Sequence, residues 1–293
     1  MTLTRTWSPA FPLDPRATLG AHRRGTGDPT MRYSDDGSIW RTSHTPDGPG
    51  TLRLRSHSGT VDAQAWGAGA SWLIDRFPDL LGAADDPEAL TAMTVDHPVV
   101  RELQSRGTGL RLGRSDRVWE ALVPAVLEQK VVGTEAWRAW RYLVRKFGEP
   151  APGPAEQLWV PPPRRDWPQI PVWDWHRSGA EPVRMRTIVR AAGMDVERGA
   201  DHLTALRGVG PWTAAETRRR ALGDPDAVPI GDYHLPAVVG QTLIGEPVDD
   251  AGMLELLAPF AGQRGRIVRL CELYGKRSPR RGPRMPVRDY RGF

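Results

Sequence analysis

The sequence predicts an α+β protein. A small antiparallel β-sheet domain is expected over residues 1–108, an all-α domain over 109–275 and a basic tail over 276–293. Three observations carry this division. Up to Trp66, apolar and polar residues alternate between turn clusters, the pattern of half-buried strands. After Thr94 the apolar spacing changes to three and four, the pattern of helices. No apolar run approaches the ~20 residues that a bilayer span needs, so the apolar side chains are available for a core. The 293 residues suit two domains of roughly 100–200 residues each.

β-structure is expected from about Leu19 to Trp66. Thr51-Leu52-Arg53-Leu54-Arg55 alternates, as does Val61 to Trp66, and turns fall at Asp35-Asp36-Gly37, Asp47 to Gly50 and Ser58-Gly59. A helix follows over Ala70–Phe77 and a short one over His97–Ser105. Asp116 is placed to cap a longer helix running through Val131, with Val118, Leu122, Val126 and Leu127 near one face. The next helix, Thr134–Phe147, ends at Gly148 and Pro150. The Pro- and Trp-rich stretch from Pro150 to Pro171 reads as an ordered loop with little regular structure. Helices are then expected over Glu181–Ala192, Asp201–Arg207, Trp212–Leu222, Leu235–Ile244, Ala251–Leu257 and Gly265–Tyr274.

Composition narrows the function. Cys271 is the only cysteine, which excludes an intrachain disulfide and an all-cysteine zinc or iron–sulfur site. The N-terminal stretch lacks the apolar core of a signal peptide, so a cytoplasmic setting is expected. The net charge of +5 permits a polyanionic partner. From Arg264 onward ten Lys and Arg stand against only Glu272 and Asp289. Two readings are open for the part after Gly275: a solvated tail, or an electrostatic contact to phosphates.

Several catalytic patterns fail. Gly67-Ala68-Gly69-Ala70 has the position of a dinucleotide loop, but Trp72 occupies its third glycine site, so a plain strand-to-helix turn is expected. The seven histidines form no His-x-x-x-His pair, and no nucleophile-elbow or P-loop pattern occurs.

One constellation holds. In LRGVGPWTA, Leu206 to Ala214, Gly208 and Gly210 can form a tight turn between helices, and Pro211 suits the first turn of the second. The free N–H groups at that helix start, with its positive dipole end, make a phosphate site. Twenty residues beyond Trp212, VPIGDYHLP carries Asp232 just ahead of another apolar run. Asp232 can cap that helix, act chemically, or do both.

Together these segments resemble the helix-hairpin-helix superfamily of base-excision DNA glycosylases, most closely its 3-methyladenine DNA glycosylase II branch. The resemblance covers about Asp116 to Tyr274. It includes ALVPAVLEQKVVG (Ala121–Gly133) and LAPFAGQRGR (Leu257–Arg266), and it makes the second domain a helix-hairpin-helix glycosylase domain. It implies that the chain flips a damaged base out of duplex DNA and hydrolyses its N-glycosidic bond, with Asp232 as the catalytic carboxylate. Trp212 stands where strand-cutting members carry a Schiff-base lysine, which implies a monofunctional enzyme. Trp212, Phe260 and Glu216 are the implied base-pocket residues, the two aromatics with core packing as their alternative. Glu216 would favour a cationic base or face solvent.

DNA contacts are implied for Arg207, Gly208, Val209, Gly210, Thr213, Gln129, Lys130 and Arg264. Lys130 replaces an apolar wedge, leaving a phosphate or an opposite-strand base as its partner. No cofactor is implied beyond a monovalent cation on the carbonyls of Arg207, Gly208 and Val209, and no side-chain metal site. The expected state is a monomer acting on damaged double-stranded DNA, nucleoid-associated and away from membranes. A glycosylase for oxidised or deaminated purines, and a non-catalytic DNA-binding protein, are the alternatives.

Overall fold

The fold is that of a computed structural model describing residues 2–276 and Asp289. The expected basic tail beyond Lys276 otherwise lies outside the described residues. Strands β1 (Thr2–Trp7), β2 (Met31–Tyr33), β3 (Ile39–Thr45), β4 (Gly48–His57) and β5 (Thr60–Gly67) form an antiparallel sheet in the order β1-β5-β4-β3-β2. The short helix α1 (Pro15–Leu19) lies between the first two strands, started by the Asp14 carboxylate on Arg16 N and Ala17 N. The expected alternation is realised in β5, where Val61, Ala63 and Ala65 are buried and Asp62 and Gln64 are half-buried. Those side chains, with Leu52 and Leu54, pack against helix α2 (Ala70–Leu80) through Leu73, Ile74 and Phe77. Gly67, at a φ of 94°, turns the chain from β5 into α2, the plain turn expected there.

β1 lies outside the stretch expected to be β. It is a mostly exposed edge strand, and its pairing with β5, from Thr2 opposite Trp66 to Trp7 opposite Val61, defines it. TLTRTW alternates, but Arg5 interrupts its inner side, so only Leu3 and Trp7 mark it as a strand.

The helical part has two cores. The short α3 (Glu88–Thr91) and α4 (Pro98–Arg106) come first. They bury Leu90, Val100 and Leu103 with residues that follow much later, among them Val239, Met253, Leu257 and Ile267. The sheet core itself ends at Leu81, ahead of residue 108. Helices α5 (Val118–Leu127) and α6 (Gly133–Phe147) open the other core. The connector contributes two-residue strands β6 (Glu149–Pro150) and β7 (Trp159–Val160) and a 3-10 segment over Arg164–Gln169. Its order comes from tryptophan packing. Trp167 stacks at 6.4 Å on Trp140 and meets Trp119 and Trp175, while Leu158 joins Trp40 on the outer face of the sheet.

Helix α7 (Val172–Ser178), which the sequence reading misses, is too short for a periodic signal and ends at Gly179, φ 83°. Helices α8 (Pro182–Ala192), α9 (Pro211–Ala221), α10 (Leu235–Leu243), α11 (Asp250–Leu257) and α12 (Arg264–Tyr274) match their expected positions within about two residues. The segment expected as a helix over Asp201–Arg207 is a 3-10 segment, Ala200–Ala205. Among the described residues no helix is long and apolar enough to cross a membrane.

Two expectations for α5 fail for local reasons. Asp116 does not cap it. It sits in the left-handed region, φ 51°, with its carboxylate on Arg114. Glu197, from the loop after α8, instead accepts from Val118 N at 2.7 Å and Trp119 N at 3.2 Å. The helix also stops at Leu127 rather than Val131, because the chain turns over at Lys130, φ 53°. A cap delivered from 79 residues away leaves no trace in local sequence. Replacing Glu197 by Ala should lower stability by about 1–2 kcal/mol in urea unfolding, the usual worth of a helix cap.

Candidate active site and nucleic-acid interface

The hairpin is anchored from beneath and open above. Leu206 and Val209 are buried, and Val209 N donates to Leu206 O at 2.9 Å. Gly208 has a φ of 100°, and a Cβ there would lie 2.2 Å from Thr187 Oγ1 of α8. Only glycine meets both conditions. Gly210 differs: its backbone is extended and a Cβ would enter open space. No side chain caps α9, and among the described residues the N–H groups of Gly210 and Trp212 find no acceptor. These donors stand at the solvent-accessible start of α9, the positive end of its dipole, which suits a phosphate. Arg207 is exposed beside them.

Gln129 and Thr213, expected at the DNA surface, turn inward. The Gln129 amide donates to Gly208 O and to Thr213 Oγ1, both at 2.9 Å. Thr213 is buried, so its hydroxyl serves the hairpin rather than a ligand. Arg184, which the sequence reading missed, is buried on α8 and donates to Gln129 O through Nε at 3.0 Å and through Nη2. The turn after α5 is thereby braced against the hairpin, leaving Lys130 exposed next to it.

Asp232 stands at the head of α10. Its Oδ1 accepts from His234 N at 2.8 Å and Leu235 N at 3.0 Å, so it does cap the helix. Its Oδ2 accepts from Trp212 Nε1 at 2.9 Å. The carboxylate is held through both oxygens, with the α10 dipole favouring its negative charge. Gly231, at φ 88°, makes the turn before it and donates to Asp250 Oδ1. Tyr233, next in the chain, is 83% exposed. The structure therefore joins the two halves of the sequence motif by one hydrogen bond.

Three further expected site residues are engaged by partners within the protein. Glu216 is buried in an ionic network, 2.7 Å from Arg219 Nη1 and 2.5 Å from Arg220 Nη2. Burial alone would raise its pKa, but Arg220, Arg219 and Arg24 outweigh it and hold the carboxyl at about 2. A base-pocket role is corrected to a structural one: its charge is already neutralised. Phe260 lies in the C-terminal core, edge-on to His97 at 6.3 Å. Arg264 starts α12 clamped to Asp226, to which it donates from Nε at 2.8 Å and from Nη2, with its own N–H at 3.1 Å.

Of the hairpin carbonyls, Arg207 O accepts from Arg190 Nη1 at 2.7 Å and Gly208 O from Gln129. Among the described residues no cluster of His, Cys, Asp or Glu could hold a metal. A small cavity between the sheet and the helices, lined by His22, Arg41, Glu120 and Trp140, includes neither Asp232 nor the hairpin.

No family model matches the chain. It is 30% identical over 236 residues to the probable bifunctional transcriptional activator/DNA repair enzyme AlkA of Mycobacterium tuberculosis. That match covers 73% of this chain and 46% of the relative, so the chain spans about half the length of the curated relatives it matches. Among solved structures, a 3-methyladenine DNA-glycosylase from Archaeoglobus fulgidus shares the fold with a TM-score of 0.78 at 17% identity. That alignment covers 92% of this chain and 97% of that one. An 8-oxoguanine glycosylase/lyase from Clostridium acetobutylicum aligns with a TM-score of 0.72 at 11% identity, over 94% and 99% of the two chains.

Two outcomes follow from the geometry. A Gly208→Ala change should cost about 1–3 kcal/mol in thermal unfolding, since it forces both left-handed strain and a clash, whereas Gly210→Ala should leave stability within about 0.5 kcal/mol. Glu216 has a folded pKa below its ordinary 4.5, so it stabilises the fold above that pH and loses this as pH falls toward about 2. A Glu216→Gln change should cost up to about 3 kcal/mol near neutral pH and flatten acid unfolding over that window.

Proposed function

The chain belongs to the helix-hairpin-helix DNA glycosylase superfamily, and from that premise we propose that it is a monofunctional DNA glycosylase for alkylated purines. The observation that carries the reading is the hydrogen bond from Trp212 Nε1 to Asp232 Oδ2. It sets the carboxylate beside the helix start that would grip a phosphate, so one bound strand meets both.

In this reading the duplex backbone binds on the N–H groups at Gly210 and Trp212, and the damaged nucleotide swings out of the stack toward Asp232. Departure of the base builds positive charge on the sugar. A fixed carboxylate, oriented before the reaction begins, stabilises that charge and directs water to the anomeric carbon. The products are the free base and an abasic site. Trp212 offers no amine, so no Schiff base forms there. Its ring, held edge-on by the Asp232 contact, presents a π surface to an electron-poor or cationic purine. Such a contact is worth on the order of 1–2 kcal/mol.

The partner is damaged double-stranded DNA, met by a monomer in the cytoplasm at the nucleoid. The reading needs no cofactor. A monovalent cation on the hairpin carbonyls would share Arg207 O with the Arg190 guanidinium and Gly208 O with Gln129. The 8-oxoguanine glycosylase/lyase of the same fold keeps a second substrate class, oxidised purines, in view.

Base release from methylated duplex DNA tests the proposal. The native chain should release alkylated purines, and Asp232→Asn should release them about 10²–10³-fold more slowly. Borohydride should trap no covalent adduct. A native chain that binds duplex but releases no damaged base would leave Asp232 as a helix cap alone.

A further inference from the structure

The hairpin shares its face with helix α8. Thr187 of α8 lies directly under Gly208, and Arg190, less than a turn further on, donates to Arg207 O at 2.7 Å. Arg186, one turn before Arg190, is exposed on the same stripe. Across the hairpin stands Lys130, exposed next to Gln129, whose amide reaches Gly208 O.

What sets this face apart is that four basic side chains gather around one hairpin. Some arginines elsewhere on the surface sit within 4 Å of a carboxylate, as Arg76 and Arg114 do with Asp116, Arg101 with Asp96 and Arg218 with Asp224, while others such as Arg55, Arg145 and Arg177 are exposed singly. Lys130, Arg186, Arg190 and Arg207 have no such partner among the described residues. Four cations gathered around one turn repel one another, and a polyanion relieves that repulsion. Arg190 is also aimed in advance: the bond to Arg207 O fixes its guanidinium at the hairpin and leaves its other N–H groups to donate. Arg186 and Arg190 are separated by about 6 Å along the helix axis, so they can meet successive phosphates of one strand.

We infer that α8 is a second DNA-binding element, in which Arg186 and Arg190 grip the backbone next to the phosphate held by the hairpin. Arg184 of the same helix, turned inward onto Gln129 O, ties this element to the turn that carries Lys130. The inference rests on the DNA-binding part of the function proposed above and not on base excision.

Binding of the full chain to undamaged duplex DNA, measured across a salt series, tests it. Each phosphate contact contributes about 0.9 to the slope of log affinity against log salt. Arg186→Ala with Arg190→Ala should therefore lower the slope by about two units. Arg190→Ala also removes the bond to Arg207 O, so Arg186→Ala alone, which breaks no bond within the protein, should lower it by about one. Arg55→Ala, at an exposed arginine of β4, should leave the slope unchanged. A native slope in Arg186→Ala, or an equal drop in Arg55→Ala, would overturn the inference. Undamaged DNA offers nothing to excise, so this result and the excision result stand or fall separately.

Discussion

The hydrogen bond between Trp212 and Asp232 is the contact around which the functional face is organised. Trp212 heads α9, which belongs to the tryptophan-rich core with α5. Asp232 heads α10, which belongs to the C-terminal core with α4 and α12. Two helix starts brought together present two positive dipole ends, an arrangement that disfavours itself unless negative charge lies between them. Asp232 supplies that charge from one side. The N–H groups left free at α9 call for a second anion, and a DNA phosphate has the required charge and shape.

Holding this contact in place requires much of the surrounding polar framework. Gln129 bridges the turn after α5 to both ends of the hairpin, and Arg184 holds Gln129 from behind. On the opposite flank, Glu216 binds Arg219 and Arg220, and Arg220 reaches Ala21 O, tying α9 to the segment between α1 and the sheet. Buried ionic groups of this kind add little net stability, because desolvation offsets their attraction. Their effect is geometric: α9 is fixed in direction on several sides, so the Trp212 indole reaches Asp232 at bonding distance.

The residues that could touch DNA are consequently of two kinds. Gly210, Trp212, Arg207 and Lys130 remain open to a ligand, whereas Gln129, Thr213, Glu216 and Arg264 have their polar atoms committed to partners within the protein. Both kinds look alike as letters. A glutamine next to a lysine, or a threonine after a tryptophan, carries no mark of which way its side chain turns.

By itself the sequence determined what depends on short-range chemistry. The period-two stretches became β4 and β5, the period-three-and-four stretches became α5, α6 and α8 to α12, and Gly208 and Asp232 took the roles their residue types favour. What depends on distant partners was decided only in the tertiary structure. β1 exists because β5 offers it an edge, α3 and α4 join the C-terminal core, and Glu197 rather than Asp116 starts α5. Glu216 is neutralised by Arg24, far away in the chain, as well as by Arg219 and Arg220 of its own helix, and Trp212 gained a hydrogen bond to the Asp232 carboxylate. The physical reason is common to all of these. Propensity and capping act within a few residues, but the partner that satisfies a buried donor or charge is chosen by which elements pack together.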